Sequence, residues 1–531
     1  MTVLYDRTTD PRILSLKDKR DWWGAEVEWK LGQRSALRVF YGSNKGGVKC
    51  AGGICKFFPP FEGLRIDALV WFRAGVALTP PAEGGMFPAM KTLRTLAVLF
   101  FLNVLFWVPA LPQQQAAAPA PAPSELLQKV RSLPGVVEAQ ATRVDSKSFA
   151  EAYEVMFEQP VDHRKPDGAK FRQRLFLAHA GYDKPVVLVT EGYGAYGSRA
   201  GELTRLLGAN QVNVEHRFFG RSVPSPLDWA DLTVRNSADD LHAIVGVLKT
   251  LYPGKWVSTG ASKSGQTALF YKCFYPGDMD ATVPYSAPIN IAQEDPRLYR
   301  FLETVGDAET RARIKDYQRA LFRREDELLP LVAKWAAERK WTAGLGLPEA
   351  YEYGVLEYPF AFWQYGTLKA ADIPAADAPA QALFDHYQKI NSFYFYTDQG
   401  QKAFEPFMYQ AFTEIGYYNY DISAFRDVMK VLKSPTNRVL CPKGAKIVFD
   451  PATMDRVYRF LQYEAGRVLY IYGDLDTWAA TRVPLIGRTD AVEIVVAGAH
   501  HGVGMRDFSP DEKELAYGAL ERWLGLKLPR T

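Results

Sequence analysis

The sequence predicts an α/β protein whose mostly parallel sheet carries helices on both faces and is interrupted by an inserted helical cap. Three observations carry this. Short, nearly unbroken apolar runs such as Val186–Thr190 alternate with amphipathic stretches, as buried parallel strands and their crossover helices do. Between about residues 295 and 441 apolar residues recur instead at helical spacing, amid many Tyr, Phe and Trp. Strand-like runs then resume at Arg467–Tyr472 and Val492–Val496.

In chain order, Ser124–Leu133 reads as a short helix, and Ala152–Phe157 and Phe171–His179 as paired strands joined by a turn through Asp162–Gly168. The alternation of strand and helix begins at Val186–Thr190. It continues with a helix over Ser198–Leu207, a strand at Gln211–Glu215 and a helix over Ser237–Leu251 with Ser237 as its N-cap. Trp256–Ser258 and Thr282–Tyr285 are the next strands. In the cap, Arg297–Val305, Ala308–Arg339 and Ala380–Lys389 place charges opposite an apolar stripe. The second of these is expected to break near Pro330, because proline lacks the donor a helix interior needs. A final helix, Asp511–Leu524, closes the sheet, and residues 442–531 complete the core begun by residues 124–294.

At 531 residues, 47% hydrophobic and 23% charged, the chain has the composition of a globular protein with a sizeable core. A formal net charge of +4 with no long basic run gives no footprint for nucleic acid. Cys50 and Cys55 share one loop, where a local disulfide suits an oxidising compartment and a zinc site would need more Cys or His nearby. Cys273 and Cys441 read either as a pair or as two buried thiols.

The front of the chain looks like a separate object. Met90-Lys-Thr-Leu-Arg, the apolar run Leu96–Val108 and the Pro/Ala-rich tract Gln113–Pro123 have the layout of a secretory signal peptide and linker, or of a lipid-embedded helix if uncleaved. Residues 90–123 are read as signal and linker with the native start at Met90 or Met86, and residues 1–89 as an upstream extension absent from the mature protein. That extension has strand-like alternation at Ser35–Tyr41 and Leu64–Phe72, the second resembling the closing strand of an outer-membrane barrel. An N-terminal domain followed by one transmembrane helix is the other reading. The expected location is secreted or periplasmic, with no membrane span once the signal is removed.

The chemistry centres on Lys255–Gly265, K-W-V-S-T-G-A-S-K-S-G, where a strand turns into a helix. Gly260 and Ser262 fit the G-x-S-x-G elbow that exposes a serine hydroxyl, while Ser264 stands at the second glycine position and Gly265 follows. Alone, this is equally the Ser/Gly turn of any α/β protein. Two later loops decide between the readings. Tyr472-Gly-Asp-Leu-Asp-Thr-Trp follows one resumed strand and Ala497-Gly-Ala-His-His-Gly the last, so Ser262, Asp476 and His501 occur in the order of an α/β-hydrolase triad. A serine hydroxyl is a weak nucleophile; it needs an imidazole to accept its proton and a carboxylate to fix that imidazole's tautomer. G-x-x-D spacing selects Asp476 over Asp474, which is assigned to capping or solvent, and the following glycine selects His501 over His500. The oxyanion hole is assigned to the backbone N–H of Lys263 and that of Tyr193, in Glu191-Gly-Tyr-Gly.

These motifs resemble the secreted bacterial serine exopeptidases typified by prolyl tri/tetrapeptidyl aminopeptidase, relatives of dipeptidyl peptidase II and lysosomal Pro-Xaa carboxypeptidase. The resemblance also draws on Phe157-Glu-Gln-Pro-Val-Asp-His-Arg, Phe171-Arg-Gln-Arg, Thr190-Glu-Gly-Tyr and Glu215-His-Arg-Phe-Phe-Gly-Arg-Ser, and spans roughly residues 125–531. It implies an α/β-hydrolase fold with a helical cap, a Ser-Asp-His mechanism, no metal or other cofactor, and short peptide substrates cleaved near proline. Ser264 departs from the family pattern, which has glycine there.

An aminopeptidase must bind the substrate ammonium. Glu215 or Glu191, at strand ends near the elbow, would do so through a charge-assisted hydrogen bond, with Arg217 a third substrate-binding candidate. The alternative is a Glu/Arg network bracing the strand ends, favoured for Arg217. Tyr358, Phe362, Trp363, Tyr417, Tyr418 and Tyr420 are candidates for a proline-accepting pocket or for core. The expected function is a secreted serine aminopeptidase releasing short peptides from N-termini through an acyl-enzyme. An esterase on the same fold and a non-catalytic peptide-binding module are the alternatives.

Overall fold

The computed structural model describes residues 124–530 except Asn391 and Arg488, and the backbone of six strands within residues 2–70. The chain divides into two compact units, Met1–Ala122 and Pro123–Thr531. In the first, Thr2–Asp6, Trp22–Gly32, Ser35–Asn44 and Phe61–Val70 pair in that order as an antiparallel sheet, so Ser35–Tyr41 and residues 64–70 of the two stretches read as strands lie in strands, and Trp71 and Phe72 fall outside the described residues. Gly47–Ala51 and Ile54–Phe58 form a separate hairpin with Cys50 opposite Cys55 in register. The signal-like segment and linker, residues 90–123, lie outside the described residues. Among the described residues no helix is long and apolar enough to cross a membrane.

The second unit is built on a nine-stranded sheet. Its strands are β1 (Val136–Ala141), β2 (Glu151–Pro160), β3 (Lys170–His179), β4 (Val186–Thr190), β5 (Asn210–Val214), β6 (Trp256–Ala261), β7 (Ala281–Tyr285), β8 (Val468–Gly473) and β9 (Ala491–Val496). They lie in the order β9-β8-β7-β6-β4-β5-β3-β2-β1. Strands β5, β4, β6, β7, β8 and β9 run parallel, and β3, β2 and β1 extend the edge antiparallel. Alternate residues of β4 serve opposite faces: Val186 and Leu188 join one core with Ile244, Val245 and Trp256, while Val187 joins the other with Val283, Ile471, Leu520 and Trp523. A strand buried on both sides reads as continuous apolar sequence, which is why β4 was legible residue for residue.

The helices are α1 (Glu125–Ser132), α2 (Glu202–Leu207), α3 (Val234–Leu248), α4 (Lys263–Phe274), six cap helices, α11 (Ala452–Tyr463) and α12 (Pro510–Leu524). Helix α3 starts one turn before the expected N-cap. Thr233 Oγ1 accepts the Asn236 N–H at 3.0 Å, and Ser237 instead sits inside the helix, its hydroxyl donating to the Thr233 carbonyl at 2.9 Å.

The cap, between β7 and β8, comprises α5 (Arg297–Thr304), α6 (Ala308–Arg323), α7 (Glu325–Glu338), α8 (Leu347–Tyr365), α9 (Ala380–Ile390) and α10 (Asp398–Gln410). The break expected at Pro330 falls at Arg324, and Pro330 lies within α7. The acidic first turn Glu325-Asp326-Glu327 favours a new helix N-terminus there, because carboxylates complement its positive end. Helix α8 escaped the periodicity reading because it is buried almost all round and has no polar face to mark a 3.6-residue repeat.

Candidate active site

Ser262 sits between β6 and α4 with φ 58° and ψ −129°, a left-handed conformation that ordinary side chains avoid. Such strain costs about 1–3 kcal/mol and persists only when the surroundings hold it. Here the Ser262 N–H donates to the Tyr285 carbonyl at 2.8 Å, and its carbonyl accepts the Gln266 N–H at 2.9 Å. Gly260 has no room for a side chain: an added Cβ would come 2.4 Å from the Ser264 carbonyl carbon. Gly265 likewise packs on the Gly260 carbonyl, at 2.8 Å from an added Cβ. The close strand–helix approach that the sequence motif assigns to its second glycine is thus met one residue later, which frees position 264 for a side chain.

That side chain bridges two loops. Ser264 Oγ accepts the Gly192 N–H at 3.0 Å and donates to Glu191 Oε2 at 3.2 Å, while the Thr190 hydroxyl donates to the Ser264 carbonyl at 2.9 Å. Gly192 presses on the elbow, its missing Cβ falling 2.7 Å from Lys263 Cβ. Among the described residues, the N–H groups of Tyr193 and Lys263 have no acceptor. Both belong to segments in contact at the serine.

Asp476 and His501 lie on the loops after β8 and β9. His501 Nδ1–H donates to Asp476 Oδ2 at 2.8 Å, leaving Nε2 for proton transfer. Asp476 is fully buried, and its other oxygen accepts the Trp478 N–H at 3.1 Å. Asp474 ties its loop to the one after β9 by accepting the Gly498 N–H at 2.7 Å. His500 is a structural tether: its Nδ1–H donates to the Trp363 carbonyl at 2.7 Å, beside a His501 N–H to Gln364 carbonyl bond of 3.0 Å. The last turn of α8 therefore holds the histidine loop in place.

Ser262 and His501 share a cavity of about 270 Å³ between core and cap. Its walls are aromatic, with Tyr193, Tyr365, Phe395, Phe404, Phe407 and Trp478 among them. Of the cap aromatics singled out in the sequence, Tyr417 and Tyr418 line it. Trp363 and Tyr420 line a neighbouring cavity of about 410 Å³, and Phe360 and Tyr418 line both. Tyr358 and Phe362 are core; the Tyr358 hydroxyl bonds His386 Nε2 at 2.6 Å. Among the described residues, no group of three or more His, Cys, Asp and Glu is placed to hold a metal ion. Cys273 and Cys441 are free thiols.

As ammonium-binding candidates Glu215 and Glu191 need correction, whereas Arg217 takes the bracing role favoured for it. Glu215, Glu191 and Arg217 do not line the serine's cavity but a separate hollow of about 10 Å³, room for roughly one water. Glu215 is fully buried and its carboxylate is fully engaged: Arg174, the Ala195 and Arg221 N–H groups and the Ser222 hydroxyl all donate to it. The turn at Gly220 wraps so closely that a Cβ there would meet Glu215 Oε2 at 2.2 Å. Arg217 is equally buried in a two-pronged pair with Asp240, at 2.7 and 2.8 Å. Burial pushes the Glu191 carboxyl up to about 7, opposed by its Asn213 and Ser264 hydrogen bonds. Glu191 follows β4 and Glu215 and Arg217 follow β5, so these groups brace two strand ends beneath the elbow helix, whose Thr267 lines the same hollow. Proximity in sequence to the motif carried no information about depth.

Two ionisable side chains that sequence reasoning passed over, those of Lys263 and Glu357, reach the cavity. Lys263 contributes its side chain as well as its N–H, with Nζ over the rings of Tyr193 and Phe219, and burial draws it down to about 7. Glu357, on α8, lies among the buried aromatics of the cap. Its only sequence signal was a carboxylate inside an otherwise apolar stretch, Val355-Leu-Glu-Tyr-Pro-Phe.

A serine at a strained strand-to-helix turn, with a His–Asp pair on the loops after two later parallel strands, defines a serine hydrolase of the α/β-hydrolase fold. The chain matches PS-10 peptidase S37 over residues 121–530. It belongs to that family and is a serine peptidase. It is 32% identical over 447 residues to the prolyl tri/tetrapeptidyl aminopeptidase of Streptomyces mobaraensis, covering 82% of this chain and 92% of that one. A shorter similarity, 30% identity over 151 residues, links it to the thymus-specific serine protease of Mus musculus, covering 25% of this chain and 30% of that one. Among solved structures it is similar to proline iminopeptidase from Mycobacterium smegmatis, with 14% identity, 70% of this chain and 99% of that chain covered, and a TM-score of 0.37.

Proposed function

We propose that this peptidase is an aminopeptidase that releases short peptides from N-termini by cleaving near proline. The observation that carries the reading is the cavity itself: the nucleophile opens into about 270 Å³ roofed by cap residues, which suits a chain end rather than a chain passing through. Its aromatic walls suit a proline ring. The similarity to the Streptomyces aminopeptidase across nearly its whole length supports the same substrate class.

In this reading Ser262 Oγ attacks the scissile carbonyl while His501 Nε2 takes its proton and Asp476 stabilises the imidazolium. The N–H groups of Lys263 and Tyr193 receive the oxyanion. His501 then protonates the leaving amine, and water, activated by the same imidazole, hydrolyses the acyl-enzyme to free the short peptide. Ser262→Ala should lower kcat on Ala-Ala-Pro-p-nitroanilide by at least about 10⁴-fold with an unchanged unfolding midpoint. Cleavage of simple esters with none of free-amine or N-blocked peptides would instead support an esterase.

We also propose that the peptidase is exported, supported by the basic start, apolar run and Pro/Ala-rich tract of residues 90–123. Sequencing the N-terminus of protein recovered from the medium or periplasm should find a start after Val108. A secreted form that still begins at Met1 would reject the proposal.

A further inference from the structure

Glu357 stands out in the serine's cavity as a carboxylate without a cation. It is 6% exposed and lines the same cavity as Ser262 and His501. Among the described residues, only tyrosine hydroxyls hydrogen-bond to it: Tyr418 Oη lies 2.7 Å from Oε1 and 2.9 Å from Oε2, and Tyr420 Oη 2.8 Å from Oε2. Each hydroxyl carries one proton, so two donors serve a group with about four acceptor positions. Neither basic side chain of the cavity is spent on it. Lys263 Nζ lies over the Tyr193 and Phe219 rings, 5.7 and 5.8 Å from their centroids, and His501 is held by Asp476.

Burying a carboxylate with no counter-charge is unfavourable, and burial pushes Glu357 up to about 7. A protein core would avoid that cost with an apolar residue. At a substrate cavity, the same cost is removed when the ligand supplies the cation. Tyr417, Tyr418 and Trp478 also line the cavity, and aromatic rings attract an ammonium independently of a carboxylate.

We infer that Glu357 receives the protonated N-terminal amine of the peptide substrate, in place of Glu215 or Glu191, while Ser262 attacks further along the chain. The inference rests on the aminopeptidase reading above and deepens it. The span from Glu357 to Ser262 then acts as a ruler, so the number of residues that fit between ammonium and nucleophile sets the length of peptide released.

The test reads binding, so that it is independent of catalysis. Ser262→Ala protein is titrated with Ala-Ala-Pro-amide and with its N-acetylated form, and the titrations are repeated on Ser262→Ala/Glu357→Gln and Ser262→Ala/Glu357→Asp. The free-amine form should bind the parent at least about 30-fold more tightly, as expected for a desolvated charge pair. Glu357→Gln, which keeps the shape, should bring the two forms within about threefold. Glu357→Asp should keep the sign of the preference with a smaller ratio. Equal binding of both forms by the parent overturns the inference, as does a ratio that survives Glu357→Gln, or Asp and Gln variants that behave alike. Failure of the aminopeptidase reading itself is seen separately, as absent turnover of Ala-Ala-Pro-p-nitroanilide by the unmutated protein.

Discussion

At position 264 the motif asks for glycine and the chain supplies serine. The elbow tolerates it because Gly265 takes over the close helix–strand contact, and the hydroxyl then finds work between Gly192 and Glu191. Removing it leaves the buried Gly192 N–H without an acceptor, a loss of about 1–3 kcal/mol. Ser264→Ala should therefore lower stability by that amount in urea unfolding. It should also lower kcat on peptide substrates by about tenfold, because in the proposed mechanism the next residue of that loop, Tyr193, donates its N–H to the oxyanion from a position Gly192 helps to fix. A variant with wild-type stability and turnover would show that the bridge is incidental. Ser262, Asp476 and His501 were legible because each sits at a strand end within a short motif, whereas Glu357 was not, because nothing around it in sequence marks the end of a strand.

At the scale of elements, helix α8 links cap and core chemistry. Its body carries Glu357 into the cavity, and its last turn offers the Trp363 and Gln364 carbonyls to His500 and His501. Gly366 ends the helix at φ 59°, and an added Cβ would come 2.1 Å from His500 Cδ2. Gly366→Ala should therefore cost about 1–3 kcal/mol from the left-handed backbone alone. The displaced histidine loop should lower kcat more than it raises KM, measured by steady-state kinetics beside thermal unfolding. Unchanged kcat would mean that the loop is held by the Asp476 contact without α8. Strands β4 and β8 were readable as elements because burial on both faces makes each a nearly unbroken apolar run. The helices buried on every side, α8 foremost, hide their period for the same reason.

At the scale of the whole molecule, the sequence by itself determined the parallel α/β core, the insertion of a helical cap, and the chain order of nucleophile, acid and histidine. Those features are written locally, in apolar periodicity and in short turn motifs with few ways to fold. It also carried enough family pattern to place the chain among serine peptidases. Only the tertiary structure decided which charged side chains share space with the serine. Glu215, Arg217 and Glu191 lie close to motif residues in the chain, yet parallel strand packing carries them into a bracing network under the elbow. Glu357, 95 positions from Ser262 by the numbering, arrives in the cavity because the cap folds back over the sheet. Depth and direction of a side chain depend on how layers stack, and layer stacking is a long-range property that no local stretch of sequence encodes.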